Sequence, residues 1–396
     1  MKKKIKNRIG GIALVGIAAF VGGAAGYFGM EALSKEGFYG AGMFAMLAAL
    51  VVSLYLSMFI HVLIHEGGHL VMGLATGYGF LSYRAGSHIW VKKENKIVHG
   101  RFQMPGTGGQ CLLSPPKNPT GRENPAFLYN LGGGLFNLIG AALAAAAAFC
   151  LDAGSPVLTA VKVFFICFVL VGVYLGLINL IPLKIGGVPN DGYNMRHLLS
   201  ASDTNDVFNL ALSMYEAQCR DVRLKDLPEE MFAAAGCAGA EDAAGICDRG
   251  NVLEIGFLQS LAEKRFDERR FDEVEKICRD MTKAAKVPEI YKTQAAMLLI
   301  LICMAEGRPE DAESLLAKKT VKKTLSASSF MPNTACIEYG RALLISHDGK
   351  KVRRWKERFD KIGRTYPFKA DYQCYAEIFD MITAAASADG KEAADE

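Results

Sequence analysis

The sequence predicts an α-helical polytopic membrane protein, about four transmembrane helices with a small β-rich membrane-associated loop, joined to an all-α cytosolic domain. Three observations carry this prediction. About 23 charged side chains fall in residues 1–200 and about 63 in residues 201–396, a shift too sharp for one domain in one solvent. Four apolar stretches, 9–30, 38–78, 125–151 and 156–182, reach the roughly 20 residues that a spanning helix needs. Beyond Arg196 and His197, apolar residues recur at helical spacing with charged opposite faces, the pattern of helices that keep one side in water.

The first apolar stretch follows a basic start, Met-Lys-Lys-Lys-Ile-Lys-Asn-Arg. It outruns the roughly 7–15 residues of a signal-peptide core and no Ala-x-Ala site closes it, so residues 1–37 are read as a retained transmembrane helix and its flanks. Basic residues set the orientation. Lys2, Lys3, Lys4, Lys6 and Arg8 precede the first stretch, and Arg84, Lys92, Lys93, Lys96, Arg101, Lys117 and Arg122 lie between the second and third. The loop at 31–36 has only Lys35, and the link at 152–155 has no basic residue. Both termini of this multi-pass cell-membrane protein are therefore expected in the cytosol, with Lys162 snorkelling at the outer end of the last span. Cysteine usage agrees. The chain has no Cys-x-x-Cys, and Cys219, Cys237, Cys247, Cys278, Cys303, Cys336 and Cys374 are scattered through the second half as thiols suited to a reducing compartment. Lys+Arg 45 against Asp+Glu 41 with 51% apolar residues excludes a disordered chain and an obligate nucleic-acid binder, so the lipid bilayer is an expected partner and nucleic acid is not.

Between the second and third stretches, residues 87–100 alternate and read as a hairpin turning at Glu94, Asn95 and Lys96, with His88 and His99 on strand faces. The alanines at 141–147 read as a helix surface for close packing between spans. The second stretch is too long for a simple span, since about 40 helical residues would reach about 60 Å against a hydrocarbon core of about 30 Å. Its polar residues, His61, His65, Glu66 and His69, fall together near the cytosolic end of a span that starts near Met43. Each unpaired polar side chain there costs on the order of 2–3 kcal/mol, which makes a functional site the default reading.

In His65-Glu66-Gly67-Gly68-His69, positions i and i+4 share a helix face, so both imidazoles can converge on one metal ion while Glu66 reaches a water beside it. Zinc suits two neutral imidazoles, a carboxylate and one open position, and lowers the pKa of its water to about 7. Glu66 would then act as general base. A third ligand has to come from another segment, and Asp191, in Pro-Asn-Asp-Gly where the last span ends, is the strongest candidate; an ordinary turn leaving the membrane fits the same residues. His61 reads as a packed histidine or one that touches a ligand from behind.

The ordered set of His-Glu-Gly-Gly-His on an early span, Asn179-x-x-Pro182 and then Asp191-Gly192 at the end of a later one resembles the site-2 protease family of intramembrane zinc metalloproteases. The stretch from Leu131 to Asn137, with Gly132, Gly133 and Gly134, resembles that family's Gly-rich segment on the middle span. The polar loop with Pro105, Gly106, Thr107, Gly108, Gly109 and Gln110 is similar as well. The resemblance covers residues 40–197 or so. It implies zinc bound by His65, His69 and Asp191, Glu66 as catalytic base, Asn179 holding substrate backbone near the metal and Asn137 lining the same cavity. It also implies membrane protein substrates whose transmembrane segments unwind for cleavage, and an edge strand within 83–103 that pairs with them. The chain departs from the family in carrying extra residues, Lys184-Ile185-Gly186-Gly187, ahead of Asp191.

In the second half, Gly307-Arg308-Pro309 is a helix–turn–helix joint, and Phe271 and Gly349 stand at comparable positions, intervals near 40 residues. A tetratricopeptide-like array and an irregular helical bundle both fit. The expected divisions are the metalloprotease core at 38–200, a linker region at 201–250 rich in Ala, Gly and Asp, a helical domain at 251–384 and a disordered acidic tail at 385–396. Such a helical domain would recruit substrate tails or a regulatory protein. The function expected is hydrolysis of peptide bonds within or near transmembrane segments. The alternative is a catalytically silent membrane scaffold that binds partners through its helical domain. An anchored soluble-type metalloprotease does not fit a motif inside an apolar run, and a prenyl-protein endopeptidase would need a downstream glutamate ligand that the spans lack.

Overall fold

The computed structural model describes residues 41–395 apart from 95, 103–106, 117–124, 153, 186 and 201. The expected first span at 9–30 lies outside the described residues, as do Asn95, Pro105 and Gly106. The described chain forms α1 (Ala41–Ala75), strands β1 (Gly79–Ala85), β2 (His88–Lys93), β3 (Lys96–Arg101) and β4 (Gly109–Ser114), then α2 (Pro125–Cys150) and α3 (Pro156–Leu180). A short hairpin, β5 (Lys184–Ile185) and β6 (Val188–Pro189), leads to α4 (Asp191–Ser200) and α5 (Ser202–Cys219). The rest is helical: α6 (Glu229–Ala233), α7 (Ala243–Arg249), α8 (Val252–Asp267), α9 (Phe271–Lys283), α10 (Glu289–Ala305), α11 (Pro309–Leu316), α12 (Lys319–Ala327), α13 (Pro332–Gly340), α14 (Gly349–Thr365) and α15 (Lys369–Asp395).

Three of these helices, α1 from Phe44 onward, α2 and α3, are long and apolar enough to cross a membrane. Large apolar side chains stay exposed on them, Phe149 at 90% and Val157 at 72%, a surface that hydrocarbon tolerates and water does not. The chain divides into two compact units. The first takes α1 through Phe59 with Ala141–Val171. Within it Ala141, Ala144 and Ala148 form a buried stripe at helical spacing, opposite exposed Leu143 and Phe149, as the alanine run predicts. Lys162 does not reach for water alone: its ammonium donates to Leu151 O at 3.1 Å, at the end of α2.

The second unit, Ile60–Gly140 with Gly172 to the C-terminus, holds the polar half of α1, the sheet and the helical domain. The sheet is antiparallel in the order β3-β2-β1-β4. Alternation works as expected on β2, where Ile89 and Val91 face in and His88 and Trp90 face out. The β2–β3 turn falls where the sequence puts it, Lys93 opposite Lys96, with Glu94 in the left-handed region at φ +50°. Two tyrosines tie the sheet to helices: Tyr83 OH donates to Leu63 O of α1 at 2.7 Å, and Tyr129 OH of α2 donates to Cys111 O of β4 at 2.5 Å.

In the helical domain, a left-handed residue at Arg269, Gly307 and His347 precedes the starts of α9, α11 and α14. The joints thus recur at the intervals read from Phe271, Pro309 and Gly349. The first helix of each pair packs on the next, α8 on α10 and α10 on α13, and α15 folds back on both α10 and α13. The run from Ala295 to Ala305 is apolar on every face, and every residue of it is buried, which makes α10 the centre of this core. Residues 201–250, expected as a linker, fold into α5 to α7 instead. Phe232, Cys237, Ile246 and Cys247 belong to the same core, Lys264 donates to Lys225 O and Leu227 O, and Arg265 grips Glu229 with two hydrogen bonds. Ala235, Ala240 and Ala243 are buried in this stretch, where close packing favours small side chains. The expected frayed tail is likewise helical as far as Asp395.

Candidate metal centre

On the polar half of α1, His61, His65 and His69 recur every fourth residue and so share one face. The rings of His65 and His69 stand edge to face, 4.7 Å between centroids, with their Nε2 atoms 3.1 Å apart. Asp191 Oδ2 completes a triangle, 3.2 Å from His65 Nε2 and 3.4 Å from His69 Nε2. Three donors held about 2.0–2.1 Å from one zinc ion at tetrahedral angles stand about 3.3–3.4 Å from each other. The triangle matches that spacing, so His65, His69 and Asp191 would together suit one such ion.

The protonation pattern points the same way. His69 Nδ1 donates to Tyr129 O at 2.8 Å, which leaves the Nε2 lone pair turned toward the site. Asn137 lies fully buried between two histidines, its amide 3.3 Å from His65 Nδ1 and 3.1 Å from His61 Nδ1. A half-turn of that amide lets its oxygen accept from His65 Nδ1–H, freeing His65 Nε2 as well. Asp191 Oδ2 is out of reach of solvent and has no hydrogen-bond partner among the described residues. With its proton on Nδ1, His69 turns an Nε2 lone pair toward the Asp191 carboxylate, and three donors converging on one point with a buried carboxylate oxygen among them form a set that a divalent cation suits. These three residues are the metal-capable group among the described residues.

Glycines make the room. A Cβ on Gly133 would lie 2.5 Å from His69 Nε2 and His65 Cε1, inside the space between the imidazoles. Gly68 and Gly132 cross backbone to backbone, where any Cβ would overlap the opposite carbonyl, and a Cβ on Gly134 would overlap the side chain of Leu180 of α3. Each glycine of the Gly132–Gly134 run thus has its own neighbour.

Asp191 is delivered by Asn190. The Asn190 side chain accepts from Leu183 N at 3.0 Å and Tyr193 N at 2.9 Å, and donates to Ile178 O at 2.5 Å and Ile181 O at 2.7 Å. It caps α4 and ties that cap to the end of α3, so Asp191 stands at the first helical position with its carboxylate aimed at α1. Pro-Asn-Asp-Gly is therefore more than a turn. The extra residues ahead of it form the β5–β6 hairpin, closed by Asn190 N on Leu183 O at 3.1 Å with Gly187 at φ +89°, and so leave both ends of the segment adjacent.

Glu66 is 7% exposed and lies against the backbone of β4, where a Cβ on Gly109 would be 2.6 Å from Glu66 Oε1. It is within electrostatic reach of His65, His69, Asp191 and Arg84. Arg84 was visible in the sequence only as an orienting cation. It is fully buried, donates to Gly86 O at 2.7 Å and Gly109 O at 2.9 Å and also bonds Thr107, so it pins the start of β4 beside Glu66. The structure does not bring Asn179 to the three ligand atoms by hydrogen bonding; its amide donates back to Leu175 O at 2.9 Å in its own helix.

Fold and site together define a helical protein with three membrane-length helices and a His–His–Asp group that fits a divalent ion. Compared with protein-family models, curated proteins and solved structures, the chain matches none.

Proposed function

We propose that the protein is an intramembrane zinc metalloprotease, similar in its chemistry to the site-2 proteases, which cuts membrane protein substrates within or near their transmembrane segments. The observation that carries the proposal is the convergence of His65 Nε2, His69 Nε2 and the buried Asp191 Oδ2 within 3.4 Å of one another at the end of an apolar helix. His65, His69 and Asp191 would hold the zinc ion, which when bound supplies a Lewis acid that polarises a peptide carbonyl and acidifies water. Glu66, one residue from His65 and shielded by β4, takes the proton from the attacking water on its carboxylate and returns it to the leaving amine. Asn137 and Tyr129 O keep the two imidazoles oriented with Nε2 inward.

An extended substrate has a ready partner in β4, an edge of the sheet, whose first residue Gly109 lies on Glu66. Within the expected range 83–103 the edge strand is β3; β4 is the opposite edge and the one that lies beside Glu66. Both termini and the helical domain belong on the cytosolic side in this reading. The experiment is Glu66→Gln in purified protein with a transmembrane reporter substrate: cleavage falls at least 10²-fold while bound zinc stays within error of wild type. Cleavage at the wild-type rate in that variant refutes the assignment.

A further inference from the structure

We propose that the groove between α12, α13 and α14 of the helical domain is a binding site for an acidic polypeptide segment. The groove holds about 320 Å³ and is lined by Arg341, Lys351, Arg354 and Arg358 against a single acid, Glu338, with Trp355 and Leu325 supplying apolar wall. Two of the cations are already matched: Arg341 pairs with Glu338 at 2.6 Å and Lys351 with Asp348 at 2.9 Å. The other two keep their charge. Arg358 spends its hydrogen bonds on the neutral Ser329, at 2.6 Å to the carbonyl and 2.9 Å to the hydroxyl, and Arg354 has no hydrogen bond or ion pair among the described residues. The charge excess is built into the element, since α14 reads Gly-Lys-Lys-Val-Arg-Arg-Trp-Lys-Glu-Arg-Phe-Asp-Lys-Ile-Gly-Arg-Thr.

A concave site of roughly 300 Å³ or more with a few convergent polar groups on an apolar wall is the usual form of a ligand site. Guanidinium groups bind carboxylates two hydrogen bonds at a time, and Trp355 with Leu325 can cover the aliphatic stems of glutamates. A nucleic acid fits less well. Single-stranded binding needs successive aromatic platforms, Trp355 is the one aromatic lining residue, and Glu338 would face the phosphates. Anionic lipid also fits less well, because Glu338 and the unpaired cations sit in a recess rather than on a flat basic face. The inference does not depend on the metal-site reading.

Trp355 also reports on the site, as the chain has only two tryptophans. In full-length protein carrying Trp90→Phe, titration with a ten-residue oligoglutamate peptide should change the fluorescence of Trp355 saturably. Lys351→Glu with Arg354→Glu, both exposed, should weaken that binding at least tenfold with an unchanged circular dichroism spectrum. Lys319→Glu with Lys322→Glu on the outer surface of α12 should alter it less than twofold. The proposal is overturned by no saturable change, by equal losses in the two double variants, or by tighter binding of a ten-nucleotide oligouridine or of phosphatidylserine vesicles.

Discussion

A methyl group on residue 133 would lie 2.5 Å from His69 Nε2, where the ion belongs, whereas one on Gly67, two residues after His65, would touch nothing within 4 Å. The two glycines therefore separate helix propensity from site geometry. Gly133→Ala should lower zinc affinity at least tenfold, and Gly67→Ala should keep full zinc content and gain about 1 kcal/mol of helix stability. Metal analysis after dialysis against a weak chelator, with thermal melts of both variants, checks the pair. At this scale His65, Glu66 and His69 were legible, because residues four apart on a helix must meet and an apolar run makes their polarity costly. Asn190, Tyr129 and Arg84 were not. Each acts through a backbone carbonyl or amide supplied by the fold, at Ile178 and Ile181, Cys111 and Gly109, and nothing in local spacing marks such a partner.

Among elements, the helices were legible from periodicity, and the joints at Arg269, Gly307 and His347 fell at the expected intervals. The packed stretch at 224–249 was hidden, since small residues look alike in a loop and in a tight helix crossing. The β5–β6 hairpin was visible only as surplus length before Asp191. Packing in the helical domain has a consequence for pH. Glu263 of α8 and Asp371 of α15 line a small cavity with Asp267 and Tyr375; burial pushes the Glu263 carboxyl up to about 7 and that of Asp371 up to about 6. Gln259 donates to Glu263, and Tyr366 donates to Asp371 at 2.8 Å. Between the ordinary carboxylate range and those values, the folded state holds protons that the unfolded state has released, so stability is full below that window and falls as pH rises through it. The domain should lose on the order of 2 kcal/mol between pH 5 and pH 8. Hydrogen exchange of α8 and α15, corrected for intrinsic rate, should show it, and Glu263→Gln should flatten the slope. A stability that rises over that range would contradict the argument.

For the whole molecule, the uneven distribution of charge was the most legible property. It separated a half with three membrane-length helices from a half built on a helical core, and it did so before any element was assigned. What composition could not give is the joining of distant parts: Asp191 reaches the α1 histidines only because α3 ends beside α2 and Asn190 fastens α4 to that end. The central claim is that these three side chains hold one metal ion, and elemental analysis of detergent-purified protein tests it most directly. Wild type should carry about one zinc per chain, and His65→Ala and Asp191→Ala should each lose it while keeping the helical spectrum of wild type. A folded wild type that takes up no zinc, or an Asp191→Ala variant that keeps it, would contradict the account.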